Sequence, residues 1–144
     1  MKFKLLMVGL VAVLAISLMA CSAPTPRPLN GISCDEFAKN NNISEQVEFA
    51  SGEFFTVTLC SNPTTGFSWS EAAQISDTGV VKQLEHEFIG PESATPPPAG
   101  APGQEVWTFK TNKKGTSTIY LEYGRPWEGG EKAVWTYTLT VTVK

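Results

Sequence analysis

An antiparallel β-sandwich is predicted by three observations. Apolar and polar residues alternate with period two in several segments, turn-forming residues separate those segments, and the folding part of the chain is only about 100 residues long. The last segment is the clearest: Ala133, Trp135, Tyr137, Leu139, Val141 and Val143 share one face, while Thr136, Thr138, Thr140 and Thr142 share the other. Ile119, Leu121 and Tyr123 alternate with Thr118, Tyr120 and Glu122, Phe55, Val57 and Leu59 with Thr56 and Thr58, and Trp107 and Phe109 with Val106, Thr108 and Lys110. Half-apolar strands of this kind belong to sheets with one wet face. Seven strands are expected, at about 44–50, 53–60, 67–73, 79–89, 104–111, 115–123 and 132–143, a number and spacing that suit an immunoglobulin-like sandwich. Trp69, Trp107 and Trp135 then fall on core positions, whereas Trp127 alternates with no strand and lies in a loop.

Before the strands, Ser33-Cys34-Asp35-Glu36 fits a capping box, with Ser33 as N-cap and Glu36 three residues on. The helix it opens is short, because Asn40, Asn41 and Asn42 favour a turn.

The first 20 residues read as a secretory signal. Lys2 and Lys4 precede an apolar run from Leu5 to Leu18, too short for the ~20 residues that span a bilayer. Leu18-Met19-Ala20-Cys21 resembles the bacterial lipobox, which implies cleavage before Cys21 and lipid attachment to it. An uncleaved membrane anchor is the competing reading. Pro24, Pro26 and Pro28 make the following stretch an extended tether. The organisation expected is therefore a signal at 1–20, a lipidated cysteine and tether at 21–30, and a folded domain at 31–144. Its place would be the cell envelope, lipid-anchored and facing outside the cytoplasm.

With Cys21 lipidated, Cys34 and Cys60 remain, and an even pair in an exported chain is most simply a disulfide. The loop so closed, about 25 residues, is worth ~3 kcal/mol. Cys60 sits on the polar side of its strand, so the bond is expected to clip the helix to the outside of the sandwich. A thiol nucleophile is the alternative, but no histidine lies near Cys60 in sequence.

Composition narrows the function. The chain of 144 residues, 42% hydrophobic and 17% charged, suffices for one core. Without the signal, nine basic residues stand against fourteen acidic ones, a net charge of about −5 that argues against nucleic acid as a partner. His86 is the single histidine, so no multi-histidine metal site exists and no cofactor is implied. Glu85 and Glu87 flank His86, yet adjacent strand residues point to opposite faces and form no common site. His86 shares parity with Leu84 and Phe88 and is expected to be partly buried and structural.

Alternating strand direction places the connections after the second, fourth and sixth strands at one pole. Those three hold nearly all the unusual residues: Asn62, Pro63, Thr64, Thr65 and Gly66 in the first, the run from 90 to 103 with five prolines in the second, and Arg125, Pro126 and Trp127 in the third. Asn62 suits a turn cap, Pro63 presets the next φ and Gly66 permits a positive φ, which would hold Thr64 and Thr65 on a stiff tip. Pro126 stiffens the approach to Trp127, an aromatic of the kind that anchors interfaces. Rigid loops lose little entropy on binding. Plain tight turns are the simpler reading of each motif taken singly.

The ordered set Asn62-Pro63-Thr64-Thr65-Gly66-Phe67, then Trp69, then Gly100-Ala101-Pro102-Gly103 leading into Val106-Trp107-Thr108-Phe109, then Arg125-Pro126-Trp127-Glu128, resembles the chagasin family of cysteine-peptidase inhibitors over about residues 43–143. The resemblance implies an immunoglobulin-like sandwich that blocks papain-like peptidases with three loops and does no chemistry of its own. Residues 62–67 would form the central wedge, with Thr64 and Thr65 nearest the enzyme's catalytic cysteine. Arg125, Pro126 and Trp127 would take the primed side. Gly100, Ala101, Pro102 and Gly103 would run along the non-primed side. Phe67 stands where the family usually has tyrosine, and Pro102 replaces a usual glycine and so removes an N–H. The partners expected are a papain-like cysteine peptidase and, through the N-terminal lipid, a membrane, with the chain itself a monomer. A surface adhesion or glycan-binding module using Trp127 as a sugar platform is the alternative.

Overall fold

Residues on one parity of the long strands meet in the middle and build most of the core. In the computed structural model, which describes residues 23–91 and 99–144, Phe55, Val57 and Leu59 face Trp107 and Phe109 on a neighbouring strand. Across the sandwich lie Ile119, Leu121, Tyr123, Tyr137, Leu139 and Val141, all buried.

The described elements, in chain order, are β1 (Arg27–Pro28), α1 (Cys34–Lys39), β2 (Asn42–Phe49), β3 (Phe54–Ser61), a single 3₁₀ turn (Pro63–Thr65), β4 (Ser68–Trp69), β5 (Gln74–Ile75), β6 (Val81–Ile89), β7 (Gly103–Thr111), β8 (Gly115–Gly124) and β9 (Trp135–Val143). One sheet has the order β1-β3-β7-β6. The other has the order β2-β9-β8-β4, with β5 also on β8. The sandwich is immunoglobulin-like, as the alternation predicts.

Not all of it is antiparallel. β2 pairs with β9 in parallel over eight residues, from Asn42 beside Thr136 to Phe49 beside Val143. When seven strands alternate in direction, the first and last run the same way, so their pairing can only be parallel. β1 is a second departure. The end of the expected tether is docked: Arg27 and Pro28 lie parallel to Phe55 and Thr56, and Leu29 N donates to Thr56 O at 3.0 Å. Proline is tolerated there because β1 is an edge and needs no donor on its outer side. The expected strand at 67–73 is also broken, into β4 and β5, both paired with β8. Ala133 leaves the core face; it is exposed with φ 48°, in the loop before β9.

α1 begins as its sequence dictates. Ser33 Oγ accepts from Glu36 N at 3.3 Å, and Glu36 Oε2 accepts from Ser33 N at 2.7 Å. These bonds from the Ser33 backbone and hydroxyl hold the Glu36 carboxyl below its ordinary value. The Cys34–Cys60 disulfide is formed, with Cα atoms 5.2 Å apart. The helix is more than an outer clip, however. Phe37 is fully buried, its ring 5.1 Å from that of Trp135 and 5.2 Å from that of Trp69. Cys60 is itself buried rather than on a wet face. Trp69 and Trp107 are buried as expected; Trp135 is half-buried, stacked between Phe37 and Tyr123.

Candidate functional site

Residues 62–67 connect β3 in one sheet to β4 in the other, so this loop crosses the open end of the sandwich. Pro63 starts the single 3₁₀ turn, closed by Thr65 N donating to Asn62 O and Gly66 N donating to Pro63 O at 3.0 Å. Gly66 has φ 80°, a conformation that side chains with a Cβ rarely adopt. The Asn62 side chain does not cap this turn. It accepts from Thr64 Oγ1 at 2.6 Å and donates through Nδ2 to Gly100 O at 2.9 Å. Thr65 Oγ1 donates to Asn62 O at 2.6 Å. Pro63, Thr64 and Thr65 are exposed at the tip, while Asn62, Gly66 and Phe67 are half-buried beneath them.

The three loops are joined at one pole, as strand parity predicts. Asn62 reaches the 99–103 segment through Gly100. On the other side, a Cβ on Gly66 would stand 2.8 Å from Trp127 Cη2. The Arg125 guanidinium lies 4.4 Å over the Phe67 ring and 5.9 Å from the Trp127 ring. Phe67 stacks in turn on Tyr123, with centroids 5.7 Å apart. Trp127 is 52% exposed at the tip of its loop.

Several positions in this site carry no sequence signal of the usual kind. Lys132 fastens the third loop, its Nζ donating to Arg125 O at 2.5 Å and to Trp127 O at 2.9 Å. Arg125 N donates to Glu131 O at 2.7 Å. The Tyr123 hydroxyl accepts from Asn62 N at 3.0 Å, so a core aromatic also holds the base of the tip. Only the fold brings Lys132 and Tyr123 onto the loop backbone, so alternation along the sequence does not reveal these contacts.

The second loop is described only in part; residues 92–98, with Pro96, Pro97 and Pro98, lie outside the described residues. Gly100 is exposed with φ 80°, Ala101 is half-buried and Pro102 is exposed. Gly103 differs from the expected contact loop: it is buried as the first residue of β7, opposite Ser61, and a Cβ there would strike the Ile89 carbonyl and the Phe88 ring. Beside the tip, an apolar hollow of about 320 Å³ is lined by Thr65, Phe67, Tyr123, Val134 and Trp135 among others.

His86 stacks on Trp107 with centroids 4.8 Å apart and sets Nε2 2.8 Å from Glu105 Oε2. It is half-buried, as expected, although a β-bulge between Gln83 and Glu85 breaks its parity with Leu84, which is exposed. Among the described residues no cluster of three His, Cys, Asp or Glu side chains could hold a metal ion. The expected signal segment 1–20 and the expected lipidation site Cys21 lie outside the described residues.

Known proteins match this chain in sequence and fold. Residues 48–141 match the family described as chagasin family peptidase inhibitor I42. Chagasin of Trypanosoma cruzi is 34% identical over 82 residues, covering 56% of this chain and 72% of chagasin. The cysteine protease inhibitor EhICP2 of Entamoeba histolytica superposes with a TM-score of 0.59 at 22% identity, over 82% of this chain and 97% of that one. PbICP-C, solved in complex with falcipain-2, superposes with a TM-score of 0.55 at 17% identity, over 81% of this chain and 97% of its own. A family match over residues 48–141, well over half of the chain, makes this chain a member of the chagasin family of peptidase inhibitors.

Proposed function

We propose that the three loops at this pole inhibit papain-like cysteine peptidases by filling the active-site cleft. The observation that carries the reading is the exposed Thr64–Thr65 tip, held from both sides by Gly100 and Trp127. A papain-like enzyme cleaves only when a carbonyl sits ~3–3.5 Å from its thiolate in the attacking line. A tip with an internally bonded 3₁₀ turn is not extended like a substrate and resists being drawn into that pose. Residues 62–67 form the wedge. Arg125, Pro126 and Trp127 brace the primed side, Trp127 as the exposed anchor, and Gly100, Ala101 and Pro102 lie along the non-primed side. The inhibitor contributes shape and a stiff frame, and a contact of ~800 Å² per partner suffices.

Cys21 carries lipid in this reading and holds the domain at the outer side of a membrane, in the cell envelope; the docked β1 leaves a short span between lipid and sandwich. Papain titrated with the purified protein should lose activity in proportion to inhibitor added, and the inhibitor should be recovered uncut. Full papain activity in excess inhibitor would remove the proposal. Metabolic labelling with a fatty acid, lost in Cys21→Ala, tests the anchor.

A further inference from the structure

The wedge has a second support that none of its own residues supplies. Glu105 on β7 faces inward among the core aromatics and is only 4% exposed. Its Oε1 accepts from Ser61 Oγ at 2.6 Å and from Trp69 N at 3.2 Å. Its Oε2 lies 2.8 Å from His86 Nε2. Ser61 is the last residue of β3 and Trp69 belongs to β4, so one carboxylate grips the chain immediately before and just after residues 62–67. Those two grips lie in different sheets.

A carboxylate taken out of water is costly unless donors surround it, and an apolar side chain would fill this place more cheaply. What the carboxylate adds is direction: three donors on three strands fix where the two stems of the wedge stand. A parallel link, Trp69 Nε1 donating to Cys60 O at 2.9 Å, joins the same two strands but leaves the Ser61 hydroxyl free to turn. His86, stacked on Trp107, closes the arrangement from β6 and keeps Oε1 turned toward the stems.

We infer that Glu105 is a positioning residue of the inhibitor: from inside the sandwich it sets the spacing of the wedge stems, and His86 orients it. This rests on the reading of residues 62–67 as the contact tip. Hydrogen exchange on the purified free protein reads the tie without any peptidase. In Glu105→Ala the amides of Thr65, Gly66 and Trp69 should exchange at least tenfold faster than in the parent, with the Leu121 and Leu139 amides unchanged. Glu105→Gln keeps an acceptor for Ser61 and Trp69 and should stay within threefold of the parent at all five. Papain inhibition should follow the same order, with Glu105→Ala at least tenfold weaker and cut within residues 62–68 on long incubation. Parent-like exchange at Thr65, Gly66 and Trp69 in Glu105→Ala would overturn the inference, as would an even acceleration across the whole sandwich. Should Glu105→Ala fail to fold, Ser61→Ala decides: at least threefold faster exchange at Thr65 and Gly66 supports the tie, and unchanged exchange overturns it. A parent protein that leaves papain active would remove the assigned target, while the exchange result still decides the tie.

Discussion

Gly66 and Trp127 touch across two loops that are 61 residues apart in sequence, and the contact exists because Gly66 has no side chain. The indole comes within 2.8 Å of where a Cβ would stand, and the positive φ of Gly66 is the second reason for glycine there. One position thus sets both the turn at the base of the tip and the seat of the exposed anchor.

Gly66→Ala should strain the turn and push Trp127 aside. An alanine at positive φ costs on the order of 1 kcal/mol before any collision. The expected result is papain inhibition weakened at least tenfold, with a thermal midpoint lowered by only a few degrees, measured by inhibition titration and circular dichroism.

Trp127→Ala removes an exposed anchor and leaves the core untouched. The inhibition constant should rise about 30-fold, equivalent to about 2 kcal/mol, with the melting temperature unchanged. Thr65→Arg places a long charged chain on the tip and should weaken inhibition still more. Parent-like constants in both variants would show that the contact lies elsewhere.

Phe37→Ala opens a cavity between Trp69 and Trp135. A cost of about 3–5 kcal/mol is expected, lowering the thermal midpoint by roughly 10 °C or more. Calorimetry of the two proteins side by side checks it.

Alkaline pH should destabilise the protein through Tyr137. Burial, chiefly, then the hydrogen bond that its hydroxyl donates to Glu45 Oε2 at 2.6 Å and the charge of that carboxylate, hold its pKa far above the ordinary phenol value. Above about pH 10 the unfolded chain gives up this proton and the folded one keeps it. Stability therefore falls as pH rises, by up to about 1.4 kcal/mol per pH unit from this group. Tyr137→Phe should flatten that slope in urea titrations run between pH 9 and 11.

Much of this architecture is legible from alternation alone. Phe55, Val57, Leu59, Ile119, Leu121 and Tyr137 face the core because a strand turns every second side chain the same way, and no other element was needed to place them. The same parity gathered Asn62, Gly100 and Trp127 at one pole, and hydrogen bonds and ring contacts join them there. Other features depend on partners far along the chain. Arg27 and Pro28 read as tether because proline lacks a donor, yet an edge of β3 accepts them. Glu105 occupies an inner position that its charge disfavours, and only Ser61, Trp69 and His86 together make it tolerable there. Phe37 sits on a six-residue helix too short to show an apolar face by periodicity.

The bond between Cys34 and Cys60 spans β2, β3 and the exposed turn at Ser51 and Gly52 between them. A single backbone nick in that turn would leave both fragments covalently stapled, the helix and first long strand still attached to the rest. For a molecule whose working partners are themselves cutters of polypeptide, an accidental snip there need not mean dismantling.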